Sequence, residues 1–201
     1  MMDTPSIMKE NNPPALNQRI AQRVRELRDA RGLSLEALAS QTGVSRSMLS
    51  LIERGESSPT AVVLEKLATG LDVALASLFD APRAAAEPVA RLADQPQWRD
   101  PHSGYVRRNV SPAGIPSPMQ IVEVVFPPQA RVSYETGPRA VEIHQQIWVL
   151  DGAIDVTVGT ALHQLNAGDC LAMQLDQPTS FHNPRQTAAR YAVVIATNAW
   201  R

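Results

Sequence analysis

The chain has 201 residues, room for one large domain or two small ones, and its 44% hydrophobic and 19% charged residues supply a buried core, which excludes disorder along its whole length. Its 19 basic against 20 acidic residues leave a formal net charge of -1, so no global field points to nucleic acid or membrane and any DNA site has to be local. The one cysteine, Cys170, excludes a disulfide framework and a cysteine-rich zinc site, and no apolar run nears the ~18 residues that span a bilayer, so a cytoplasmic protein without a membrane partner is expected.

Residues 1–14 show no periodicity and hold Pro5, Pro13 and Pro14, which predicts a flexible tail ahead of a helical domain over 15–80. Within that domain apolar residues recur at spacings of three and four: Leu16, Ile20, Val24 and Leu27, then Leu35 and Leu38, then Leu49 and Ile52, then Val63, Leu64 and Leu67. Short helices follow from this, with Gly32, Gly43 and Gly55 as their ends, Ser34 and Ser45 as caps, and Pro59-Thr60 opening a fourth. The proline-bounded run APRAAAEP, 81–88, begins an expected linker over 81–104. Beyond it, over 105–201, β-rich runs at 120–126, 143–150, 154–158, 170–175 and 189–196 alternate with turn clusters, the pattern of an all-β sandwich or barrel. The whole reads as an α+β chain of two domains.

Residues 33–55 read LSLEALASQTGVSRSMLSLIERG. Two short helices joined through Thr42-Gly43-Val44-Ser45 have the geometry in which the second helix enters a DNA major groove. Leu38, Val44, Leu49 and Ile52 supply the shared core, leaving Arg46, Ser47, Ser50 and Leu51 for the groove. Leu38-Ala39, Gly43-Val44-Ser45 and Ile52-Glu53-Arg54-Gly55 match, in order and spacing, the signature of phage-repressor-like (XRE-type) helix-turn-helix regulators, which the chain resembles over about 16–80. The resemblance implies a five-helix bundle that binds operators, usually as a dimer. It places Arg46 and Ser47 at base edges, where an arginine donates to guanine, and Leu51 where it meets a thymine methyl. Thr42 and Ser45 in the turn and Arg19 and Arg23 on the first helix complete the expected DNA contacts. Arg28 and Glu53 stand at the spacing of the family's partly buried ion pair, which implies a structural role.

In the second half, residues 145–152 resemble the strand that closes the first motif of the cupin family, and Gly168-Asp169 with Pro178 and Asn183-Pro184 resemble its second, over about 105–197. The resemblance implies a small jelly-roll β-barrel. Many cupins hold a divalent metal with two histidines and a glutamate in the first motif and a histidine in the second. Here the glutamate position is Gln145, no histidine stands over 138–141, and the second-motif position is Thr179. His144, His163 and His182 exist, but strand alternation turns His144 away from Gln145, and His182 is out of phase with Thr179. No metal and no other cofactor is expected. The inward positions Gln145, Ile147, Val149, Thr179 and Phe181 are expected to form a cavity suited to a small effector, the alternative being a filled core that serves dimerisation alone.

The combined expectation is a homodimeric transcriptional regulator that binds a double-stranded DNA operator and responds to a small molecule, and is not an enzyme. The rival is a cupin-type isomerase or dioxygenase with an accessory DNA-binding domain.

Overall fold

A computed structural model describes residues 13–79, 87–115, 117–137 and 141–197. Four α-helices come first: α1 (Pro13–Ala30), α2 (Leu35–Thr42), α3 (Arg46–Glu53) and α4 (Ala61–Gly70). Residues 1–12 of the expected tail lie outside the described residues, and Pro13 and Pro14 belong to α1, because a first-turn residue has no helical partner for an N–H that proline lacks. The hydroxyls of Ser34, Ser45 and Thr60 accept from the N–H groups of Ala37, Met48 and Val63 at 3.1, 3.3 and 3.4 Å, so each of the last three helices is capped by its own sequence. Gly43 ends α2 at φ +65°, a left-handed conformation that glycine adopts without a Cβ penalty. Ile20, Val24, Leu38, Leu49, Ile52 and Leu64 close the core of this head.

The expected fifth helix is corrected. Leu75–Phe79 forms only a 3₁₀ helix, with Ser77 N–H on Ala74 O at 2.9 Å, a run too short to build an α-helical ladder. The head therefore has four α-helices and a 3₁₀ turn among the described residues.

Ten strands follow among the described residues: β1 (Gln97–Arg99), β2 (Val106–Asn109), β3 (Met119–Phe126), β4 (Arg131–Tyr134), β5 (Ile143–Asp151), β6 (Ala153–Val158), β7 (Ala161–Asn166), β8 (Cys170–Gln174), β9 (Thr179–His182) and β10 (Ala189–Thr197). The five predicted runs coincide with β3, β5, β6, β8 and β10; the other five strands lie outside them. One sheet has the order β1-β2-β3-β10-β5-β8 and the other β4-β9-β6-β7, all antiparallel. From β3 onward this is the double Greek-key order of a jelly roll. The closed barrel is corrected to a two-sheet sandwich, since among the described residues β1 and β8 in one sheet and β4 and β7 in the other each pair on one side only, and no ladder joins the sheets.

Residues 81–86 of the expected linker lie outside the described residues, while its remainder contains β1 and ties the halves together. Asp100, buried, accepts from Ala61 N–H at 2.9 Å through Oδ1, and from Ser103 N–H and Oγ through Oδ2 at 2.8 and 2.5 Å. A carboxylate from the sandwich side thus sits on the N-terminus of α4, where the helix dipole favours negative charge. Phe79 of the head packs on Trp98 with ring centroids 5.7 Å apart, and rings continue through Tyr105, Phe126, Tyr191 and Phe181 into the sandwich core at 5.6–6.4 Å steps.

Candidate functional site

The turn between α2 and α3 is held by Thr42. Its buried hydroxyl donates to Leu38 O at 2.7 Å and accepts from Val44 N–H at 3.2 Å, hydrogen bonds that close the turn. A Cβ on Gly70 would lie 2.4 Å from the Thr42 methyl, which shows how closely α2 and α4 approach there. Ser45, Arg46 and Ser47 are exposed at the start of α3, with Ser45 Oγ and Ser47 Oγ 3.2 Å apart. The Arg46 side chain is 69% exposed, with Glu36 a loose 3.7 Å neighbour. An exposed pair of this kind is worth little, so the guanidinium is available to another partner. Ser50 and Leu51 are half-buried one turn on. Ser50 Oγ accepts from Arg54, which also forms a fork with Glu56 at 2.8 Å on both oxygens. Met48, exposed on the same helix, and Arg54 were not among the expected contacts, although the periodicity of α3 places both outside its core stripe.

Arg19 and Arg23 stand on α1. Both line a wide cleft of about 720 Å³ between α1 and the β3 side of the sandwich, which no residue of α3 lines. Arg23 Nε donates to Ser77 O at 3.1 Å, which seats α1 on the 3₁₀ turn, and its Nη1 lies 3.5 Å from Glu26 on the same helix.

Arg28 and Glu53 meet side-on, Nε to Oε1 at 2.6 Å and Nη2 to Oε2 at 2.9 Å, with side chains 13% and 8% exposed. Arg28 Nη1 also donates to Leu33 O at 2.8 Å. The hydrogen bond to Glu53 raises the Arg28 pKa against the opposing effect of desolvation. One pair joins α1 to the end of α3 and fixes the angle at which α3 is presented.

The second site lies inside. A cavity of about 60 Å³ is walled by Glu65 of α4 and Leu75 of the 3₁₀ turn on the head side, and by residues including Arg107, Tyr134, Thr136 and Gln145 on the sandwich side. Of the five expected effector-facing residues, Gln145 and Phe181 line it; Ile147, Val149 and Thr179 do not, being buried in sandwich packing, with Thr179 Oγ1 on Gln177 O at 3.1 Å. Arg107 was not expected there. It is 6% exposed, stands 5.3 Å over the Phe79 ring, and leaves Nε and Nη2 without a partner. Thr136 Oγ1 is also buried and unpartnered. Desolvation lowers the Arg107 pKa, opposed by attraction to Tyr105, Tyr134 and Glu65. Burial pushes the Tyr105 hydroxyl up to about 12 and drives Tyr134 and Tyr191 upward as well, so all three phenols keep their protons at neutral pH; Tyr105 and Tyr134 hydroxyls are 3.3 Å apart.

A cupin-type metal does not fit these residues. The amide of Gln145 is a poor ligand for a transition metal, and the cavity it lines already holds a guanidinium, which repels a cation. Among the described residues no group of three or more His, Cys, Asp or Glu side chains is placed to hold a metal ion. His144 is exposed, 3.9 Å from Glu142.

The helix-turn-helix family model matches residues 24–78. Over its length the chain is similar to the HTH-type transcriptional regulator SutR of Escherichia coli (strain K12), 30% identical over 174 residues, 86% of this chain and 91% of that protein. The head is similar to the HTH-type transcriptional regulator SinR of Bacillus subtilis (strain 168), 42% identical over 62 residues, 30% of this chain and 56% of the relative. Among solved structures, an HTH_3 family transcriptional regulator from Vibrio cholerae superposes with a TM-score of 0.71 at 27% identity, covering 92% of this chain and 98% of that one.

Proposed function

The chain belongs to the family of HTH-type transcriptional regulators, and from that premise we propose that its β half senses a small molecule and pairs two copies on one operator. The protein is a DNA-binding transcriptional regulator with a jelly-roll second half. In this reading the head spans 15–80 and the sensor 105–201, with the joint between them carrying Trp98 and Asp100. Ser45, Arg46, Ser47, Ser50 and Leu51 meet the operator, Arg46 reading a base edge, while Arg28 and Glu53 hold α3 in place.

The observation that carries the sensor reading is that the cavity has walls from both halves: Glu65 and Leu75 from the head, Arg107 and Gln145 from the sandwich. A molecule that fills it acts directly on the seat of the head, and it shifts operator affinity by as much as it favours one placement of the head over another. We read the protein as a regulator and not an enzyme, because the cavity lined by Gln145, the position the cupin resemblance gives to a metal-binding glutamate, is lined by a guanidinium as well. Among the described residues no helix is long and apolar enough to cross a membrane, and a cytoplasmic location suits a protein that acts on DNA.

Pairing follows from operator symmetry, since two heads related by a two-fold axis read two half-sites. The outer face of the six-stranded sheet exposes Ile121, Val125 and Trp148, with Ile121 opposite Val194 and Trp148 opposite Ala192. Glu123, bridged to Arg108 at 2.7 Å and Arg190 at 3.7 Å, borders these side chains. A second copy of this chain is the occupant we assign to that face.

Selection of bound DNA from a random pool with the full chain tests the reading, and two half-sites in inverted repeat are expected. Arg46→Ala then weakens binding to the selected site by about 1–3 kcal/mol with the melting temperature unchanged. Equal losses on selected and random DNA would make Arg46 a phosphate contact, and a single unrepeated half-site would remove the pairing.

A further inference from the structure

Arg107 lies on β2, where alternation turns Tyr105 and Arg107 inward and Val106 and Arg108 outward. Arg108 finds Glu123, whereas Arg107 is buried with Nε and Nη2 unpaired. These are the same two nitrogens with which Arg28 grips Glu53 in the head. Such an edge takes a carboxylate side-on, through two parallel N–H···O bonds. A buried guanidinium lacking them is a poor way to fill a core and a good way to bind something that is not part of the chain.

We propose that the cavity between head and sandwich is a binding site for a small monocarboxylate, gripped side-on by Nε and Nη2 of Arg107. The inference rests on the sensor reading and names the class of its ligand. Size follows from the volume: at roughly 10–15 Å³ for each water-sized occupant, about 60 Å³ admits a ligand of only a few heavy atoms. Polarity follows from the walls. The unpartnered Thr136 hydroxyl and the Gln145 amide offer further hydrogen bonds, while Val124, Leu175 and Ile195 receive a short alkyl chain. Charge follows from Glu65, which lines the cavity from α4 and disfavours a second negative charge on the ligand. Short acids of two to four carbons, with or without a hydroxyl or keto group, meet all three conditions.

The test uses the full chain and sodium formate, acetate, propionate, butyrate, lactate and pyruvate at fixed sodium concentration, with sodium chloride, acetamide and propionamide as controls. At a hundredfold excess over its Kd, at least one carboxylate raises the melting temperature by roughly 5–10 °C, while the amides, equal in shape and uncharged, do not. Arg107→Gln lowers the affinity for that carboxylate at least tenfold by calorimetry. The proposal falls if no carboxylate exceeds chloride, if the amides match the acids, or if Arg107→Gln binds as before. The acid–amide comparison on the unaltered protein decides the question even where Arg107→Gln does not fold. Operator affinity with and without the bound acid separates the two readings: an acid that binds and leaves operator affinity unchanged keeps this site and removes the sensor role.

Discussion

The two halves treat their buried polar groups differently. In the four-helix head they are spent internally: Arg28 on Glu53 and Leu33 O, Thr42 on Leu38 O and Val44 N–H. Among the described residues, no buried side-chain nitrogen or oxygen of the head lacks a partner. In the sandwich Arg107 and Thr136, which line the cavity, retain one or more such atoms, as Asp155 and Asp176 do away from it. A satisfied network fixes one geometry, as a surface that reads base edges requires. Unspent hydrogen-bonding capacity next to a cavity leaves a region able to gain from an outside partner, as a sensor requires. The contrast separates reading from responding within one chain.

The strongest way to break the contrast is Glu53→Ala. It strands the nearly buried Arg28 charge and costs the head about 3–5 kcal/mol, read as a lower midpoint in urea unfolding followed by far-UV circular dichroism. A midpoint that does not move would show that the fork contributes nothing to the head. Asp100→Ala has a smaller effect, about 1.5–3 kcal/mol, because it removes a charge-assisted bond to Ala61 N–H. Calorimetry is expected to show one unfolding transition for the unaltered chain and two, for head and sandwich, for this variant; one undivided transition at the original temperature in the variant would deny Asp100 a joining role. Thr136→Val has the least effect and sharpens the contrast most. Its hydroxyl has no partner to lose, so the isosteric valine changes stability by under about 0.5 kcal/mol or raises it. A loss above about 1 kcal/mol would mean the sandwich is as saturated as the head.

Local physics was legible in the sequence, and distant contacts were not. Ser34, Ser45, Thr60 and Gly43 act within three or four residues of themselves, so the ends of α2, α3 and α4 could be read directly. The runs behind β3, β5, β6, β8 and β10 are apolar enough to announce themselves. β1, β2, β4, β7 and β9 are short and polar or charged, and they are strands because neighbouring strands pair with them. Arg107 was hidden for that reason, since Val-Arg-Arg-Asn reads as an exposed segment until β2 is placed beside β3. The one available signal was alternation from Tyr105, which puts Arg107 on the same face as a buried aromatic residue. The backbone role of Thr42 was equally hidden, since serine and threonine in such a turn serve the backbone as readily as a phosphate and the sequence does not show the burial of the hydroxyl.

Asp100 has a consequence for anyone who would recombine such proteins. The proline-bounded run at 81–88 looks like the natural place to cut, yet a chimera joined there would carry off α4 without the carboxylate that sits on its first turn, and Phe79 without Trp98. The exchangeable unit is therefore larger than the helical domain and runs through Tyr105, so that Trp98, Asp100 and Ser103 travel with the helices they serve. A head transplanted with that strap keeps its own footing, and one transplanted without it depends on whatever residue the new host offers to Ala61.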